Sequence, residues 1–159
     1  SMDLVACSIG AALYSDKLSA LISGETIQII RRLIGADAYD FGLKGGGQVR
    51  FSERVKSLVE QWKEAIPSDE KDEASHLGLC MRSLGWAILI ASAGKLEGPS
   101  KRRFCYKWPQ ESSEFLESVK ADSDEDVAAC WEVTKSTVQK LLSKKELQCF
   151  DWIDQTSSL

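Results

Sequence analysis

The chain has 159 residues, 43% of them apolar and 28% charged, with 24 acidic against 20 basic side chains. That apolar share at a net charge of −4 excludes an intrinsically disordered chain. The length suits one domain whose core needs neither a metal nor a disulfide. The longest apolar run, Leu84 to Ala93, falls short of the ~18 residues of a membrane span. The apolar stretch Leu4 to Leu13 lacks the preceding basic residues of a signal peptide. The expected location is therefore cytoplasmic or nuclear, with no membrane contact.

The segment Leu4 to Ser23 reads as one or two short helices carrying Leu13, Leu18, Leu21 and Ile22. Gly24 opens a clearer helix, where Ile27, Ile30, Leu33 and Ile34 recur at helical spacing and Gly35 stands at the end. From Asp37 the period changes: Tyr39, Phe41 and Leu43 alternate, as do Val49 and Phe51, on either side of Lys44-Gly45-Gly46-Gly47. That pattern predicts a small β-hairpin over about 38–51, lying on helices and leaving self-association into a homodimer open through its edge. Ser52 is a candidate N-cap for a helix whose stripe is Val55, Leu58, Val59 and Trp62, stopped by Pro67. A core helix is expected over about Glu70 to Ala93, with Leu77, Cys80, Met81, Leu84, Ile88 and Ala91 inward and little polar face near Trp86.

The predicted architecture is mainly α, a compact helical domain of about six to eight helices with that one hairpin. Residues 3–94 form the core, 95–110 a basic and aromatic connecting arm, and 111–159 a C-terminal helical part in one compact unit with the core. In the arm, Lys101, Arg102, Arg103 and Lys107 interleave with Phe104, Tyr106 and Trp108. Such a mixture offers cations to phosphates and rings to bases, although simple alternation would equally bury the aromatics and solvate the cations. A short helix over Glu111 to Lys120 turns Phe115, Leu116 and Val119 inward.

Enzyme motifs are lacking. The five cysteines, Cys7, Cys80, Cys105, Cys130 and Cys149, include no Cys-x-x-Cys pair, which excludes a zinc ribbon or thioredoxin-like site. His76 is the sole histidine, so a histidine metal cage is impossible, and nothing local marks a cysteine as its nucleophilic partner. Free cysteine ordinarily packs as a small hydrophobe. The chain has no Gly-x-Ser-x-Gly, Gly-x-Gly-x-x-Gly or Walker-type loop. It reads as a non-enzyme without cofactor or metal.

The most informative stretch is Asp122 to Phe150. Ser123, with Asp126 three residues on, is a capping-box-like start. Val127, Ala128 and Trp131 share one side, Glu132 to Lys135 interrupts, and Ser136 to Leu142 begins again. This stretch resembles an excisionase-type DNA-binding helix-turn-helix. Glu132 and Lys145 stand where the family commonly has glycine, and no basic wing follows. The resemblance implies that Val133 plugs the turn, Thr134 caps the second helix, and Val138 and Leu141 pack it back. It leaves Lys135, Ser136, Thr137, Gln139, Lys140, Lys144 and Lys145 outward for phosphates and base edges. The lysines of this segment all follow the turn, and most of its acids precede it.

A second resemblance rests on the aromatics Tyr39, Phe41 and Phe51, the helix ending near Pro67, and Leu84-Gly85-Trp86. These are similar to the C-terminal domain of rhabdovirus phosphoproteins, which implies a nucleoprotein partner and a surface including Trp86. The expected function is thus a small nucleic-acid-binding regulatory or accessory protein, its partner DNA or RNA. The alternative is a helical protein–protein interaction module, a viral or host-directed adaptor or a polymerase or nucleoprotein cofactor, with a protein partner and no direct nucleic-acid binding.

Overall fold

The computed structural model describes residues 1–44, 48–68, 72–96, 98–99, 115, 118–119, 121 and 123–142. Among them are seven α-helices: α1 (Met2–Leu13), α2 (Ser15–Ala20), α3 (Gly24–Ile34), α4 (Ala36–Lys44), α5 (Glu53–Lys63), α6 (Glu73–Ser92) and α7 (Asp124–Leu141). A 3-10 turn, Ala93–Lys95, follows α6. Five helices start on a side-chain cap: Ser1, Ser23, Ser52, Asp72 and Ser123 each accept the backbone N–H three residues ahead. Each such cap contributes about 1 kcal/mol by satisfying a donor that the helix itself leaves open.

The centre is an antiparallel pair, α1 against α6. Its register is read from the contacts: Gly10 lies on the Met81 carbonyl, Gly85 on the Ala6 carbonyl, and Asp3 reaches Arg82 and Trp86. Both glycines allow backbone to meet backbone, since a Cβ at either would fall 1.8 Å from the facing carbonyl oxygen. Nearly the whole circumference of both helices is buried, from Val5 to Ala12 on α1 and from Ser83 to Leu89 on α6. Glu73–Lys95 is long and apolar enough to cross a membrane by length and composition, and 78% of its most apolar window is buried inside the protein. Around this pair, α3 contributes Ile30 and Ile34, α5 the predicted stripe Val55, Leu58, Val59 and Trp62, and α7 Cys130, Trp131, Val133 and Val138.

Two expectations are corrected. No strand occurs among the described residues, and the segment assigned to the first arm of the hairpin is helix α4. Gly35, at φ 92°, ends α3 with its N–H on the Arg31 carbonyl, and its own carbonyl accepts from Tyr39 to start α4. The buried residues of α4 are Ala38, Tyr39 and Gly42, a helical spacing, whereas Leu43 of the supposed alternation is exposed. Gly42 lets α4 lie against Ala11 and Leu18, and that packing favours the helix over a strand. Tyr39 is buried within the bundle, so the edge proposed for homodimerisation does not exist there. The glycine tip, residues 45–47, lies outside the described residues.

The second correction concerns residues 124–141. They form one uninterrupted helix, with no turn at Glu132 to Thr134. Thr134 is fully buried and caps nothing; its Oγ1 lies 2.7 Å from Ser92 Oγ on α6. Ser92 Oγ donates its one proton to the Ile88 carbonyl, so Thr134 must be the donor in that pair. Val133 and Val138 are buried in the core as well, and a turn here would withdraw residues of this stretch from it. Ser123 does cap the helix, but Asp126 does not reach back to it. Its carboxylate accepts from Arg54 on α5 at 3.0 Å, and Glu125 accepts from the same guanidinium at 2.7 Å. This carboxylate pair raises the Arg54 guanidinium above its ordinary value, chiefly through the Asp126 hydrogen bond.

Candidate functional site

Of the residues expected to bind nucleic acid, Lys135, Ser136, Thr137, Gln139 and Lys140 lie among the described ones. Thr137 is fully buried and donates to the Val133 carbonyl at 2.9 Å. Lys135 and Ser136 are half-buried, and the Lys135 ammonium pairs with Glu132 at 3.3 Å. Gln139 and Lys140 are exposed. Lys101, Arg102, Arg103, Lys107, Lys144 and Lys145 lie outside the described residues, as does most of the helix expected over 111–120, of which Phe115 is buried. The described part of α7 thus carries two lysines, one already paired and one in the last turn, on a helix whose first turn is acidic with Asp124, Glu125 and Asp126.

Trp86 does not form a surface either. It is 3% exposed, and its Nε1 donates to Asp3 at 3.1 Å while Arg82 clamps the same carboxylate at 2.8 Å and 3.1 Å. This cluster ties the first turn of α1 to α6. Cys7 sits beneath it, its thiol pushed up to about 11 by burial first and then by the Asp3 charge.

A different site forms on the other side of the bundle. Between α2, the start of α3, the end of α5 and the first two turns of α6 lies a solvent-open groove of about 640 Å³. Tyr14, the residue joining α1 to α2, is its pivot: the ammonium groups of Lys17 and Lys63 each lie 5.6 Å from the centre of its ring. Such cation–ring contacts hold both charges at the groove rather than free in solvent. Lys63 also pairs with Glu60 at 3.0 Å, whereas Lys17 has no carboxylate partner among the described residues. Ala20, Leu21, Ala74 and Leu77 supply apolar wall, and Glu73 is the one lining carboxylate among the described residues. Ile22, next to Leu21, is 94% exposed.

Two titratable groups on α6 complete the lining. His76 and Cys80, one turn apart, approach at 3.5 Å between Nε2 and Sγ, and His76 Nδ1 is buried without a partner. Burial raises the Cys80 thiol, opposed by the charges of Lys63 and Lys17, so it stays protonated at neutral pH and is a poor nucleophile. Burial likewise raises the Tyr14 phenol, helped by Cys80 and Glu60, and keeps it a neutral hydroxyl. Among the described residues no group of His, Cys, Asp and Glu side chains is placed to hold a metal ion. The groove brings together two ammonium groups, a phenol, the His76–Cys80 pair and apolar walls. The only sequence signal for it was the four-residue spacing of His76 and Cys80, since Tyr14, Lys17 and Lys63 come from separate segments.

The chain matches no family model, no curated protein and no solved structure.

Proposed function

We propose that the chain is a helical protein-interaction module that works through the groove between α2, α5 and α6, without direct nucleic-acid binding. The observation that carries this reading is the groove itself, an open recess with charged and apolar walls on the surface of the helical bundle. Recesses of a few hundred cubic ångströms that combine apolar lining with a few fixed polar groups are the usual form of a recognition site. The state of α7 supports it from the other direction. A recognition helix needs a free polar face, and here Val133, Thr134, Thr137 and Val138 are spent on the core while Glu132 neutralises Lys135.

The test compares the two partner classes directly. Fluorescence anisotropy of the purified chain with random duplex DNA and with single-stranded RNA, at low and high salt, is expected to show no saturable binding. Salt-sensitive binding that disappears in Lys135→Ala/Lys140→Ala would overturn the proposal, because only a phosphate-contacting α7 face would produce it.

A further inference from the structure

Resting on the reading of the chain as an interaction module, we infer that the groove receives an acidic, apolar-flanked segment of a partner polypeptide. An Asp or Glu of that segment meets the Lys17 ammonium beside Tyr14, and a neighbouring apolar side chain lies on Leu21 and Leu77. Charge complementarity selects the occupant. Lys17 has no carboxylate partner among the described residues, and Lys63 is held over the same ring, so the groove presents positive charge where a single carboxylate can take it up. A polyanion is disfavoured, because Glu73 lines the groove and Glu60 already engages Lys63. Nucleic acid binds through runs of cations, and this recess has two. A carboxylate set among apolar side chains fits both halves of the lining.

Shape argues for a chain over a compact molecule. The recess is open to solvent, and its lining runs along two turns of α6, from Glu73 to Cys80, with residues of α2, α3 and α5 opposite. An extended peptide can follow such a lining, with one side chain on Leu21 and Leu77 and another beside Lys17.

The experiment is an NMR titration of the full-length, 15N-labelled chain with a pool of short peptides built from Asp, Glu, Leu, Ile and Phe. A matched pool with Lys and Arg in place of the acids, and octanoate, are the comparison ligands. The expected result is a set of shifts at Tyr14, Lys17, Leu21, Ile22 and Leu77 with the acidic pool alone. Binding should weaken with salt and fall about tenfold or more in Lys17→Glu, with a smaller loss in Lys17→Gln. Lys17 is exposed, and an unchanged spectrum outside the groove confirms that both variants fold. Acidic peptides that bind with unchanged affinity in Lys17→Glu, or that shift a different face, overturn the groove assignment while the interaction-module reading stands. Octanoate shifting the groove where no peptide does overturns the peptide as occupant. Silence from every peptide pool, with duplex DNA shifting Gln139 and Lys140 instead, overturns both.

Discussion

Replacing Gly85 by alanine probes the contact on which the bundle turns. An added Cβ would lie 1.8 Å from the Ala6 carbonyl oxygen, 2.7 Å from its carbon and 3.1 Å from the Gly10 nitrogen. All three are backbone atoms, so no side-chain rotation relieves the clash, and α1 and α6 must separate by more than about 1 Å to restore ordinary contact. A radial gap of about 0.5–1 Å already forfeits a quarter to a half of each dispersion contact across the seam. The residues that lose contacts include Ile9, Met81, Leu84 and Ile88, all fully buried. Against this, alanine in place of a helical glycine gains about 1 kcal/mol of propensity. Overpacking usually costs about 1–3 kcal/mol, and a backbone-against-backbone clash belongs at or beyond the top of that range. The net expectation is a loss of about 3 kcal/mol, a large share of the roughly 5–15 kcal/mol that holds a domain together. Urea unfolding followed by tryptophan fluorescence should show the midpoint falling by about 1–3 M at ordinary slopes. Gly24→Ala, with nothing within 4 Å of its added Cβ, is the control and should match or slightly exceed the wild type. Gly10→Ala meets the Met81 carbonyl at 1.8 Å and should behave like Gly85→Ala. Because one separation of the helices relieves both clashes, the double variant should lose clearly less than the two single losses combined. A Gly85→Ala midpoint equal to that of the wild type would refute the close antiparallel seam.

The buried hydroxyl pair gives a second test: Thr134→Val removes only the donor and should cost about 1 kcal/mol, whereas Ser92→Ala strands a buried Thr134 hydroxyl and should cost about 1–3 kcal/mol. Additive losses in the double variant, measured by the same unfolding curves, would show that the two groups do not interact. Burial, with the Asp126 charge, pushes Cys130 from 9.0 up to about 12, so above pH 9 the unfolded chain releases this proton before the folded one does. Stability should be unaffected by it below pH 9 and then fall by up to about 1.4 kcal/mol per pH unit as the pH approaches the folded value. Cys130→Ala, although weaker at pH 8, should lose less between pH 9 and 10.5, and parallel profiles would contradict the assignment. Finally, Cys80 lines the open groove while Cys7 and Cys130 are fully enclosed. Alkylation of the native protein at pH 8, read by mass spectrometry, should label Cys80 first of these three, and equal rates would mean that unfolding controls all of them.

Much of the helical frame was legible because whole stripes of large apolar residues announce it. The α5 stripe Val55, Leu58, Val59 and Trp62, its Ser52 cap, and the end of α3 at Gly35 all stand where the sequence placed them. The α4 segment was misread because its inward face is made of small residues. Ala38 and Gly42 carry little hydrophobic signal, so the louder alternation of Tyr39, Phe41 and Leu43 suggested a strand. Gly42 is chosen by its neighbours Ala11 and Leu18, some 24–31 positions earlier in the chain, and no local pattern contains that information. The groove was invisible for the same reason: Tyr14, Lys17, Lys63 and His76 meet only after α1, α2, α5 and α6 have packed.

The misreading of α7 has a more specific origin. Its threonines suggested a turn and a polar recognition face, but Thr134 is inward because Ser92, 42 residues away, offers it an acceptor inside the core. The charge asymmetry that seemed to favour DNA, acids first and lysines after, fits a single helix equally well. Asp124, Glu125 and Asp126 occupy the first turn, where the positive end of the helix dipole and the Arg54 guanidinium both favour carboxylates. Lys140 stands in the last turn, where the negative end favours a cation. One long helix accounts for Asp124, Glu125 and Asp126 at its start and for Lys135 and Lys140 along it, while Lys144 and Lys145 lie outside the described residues. It also buries Val133 and Val138, which a helix-turn-helix would have had to divide between a turn and a second core. Lys135, paired with Glu132, and Lys140, at the negative end of the helix dipole, therefore need no phosphate to explain them.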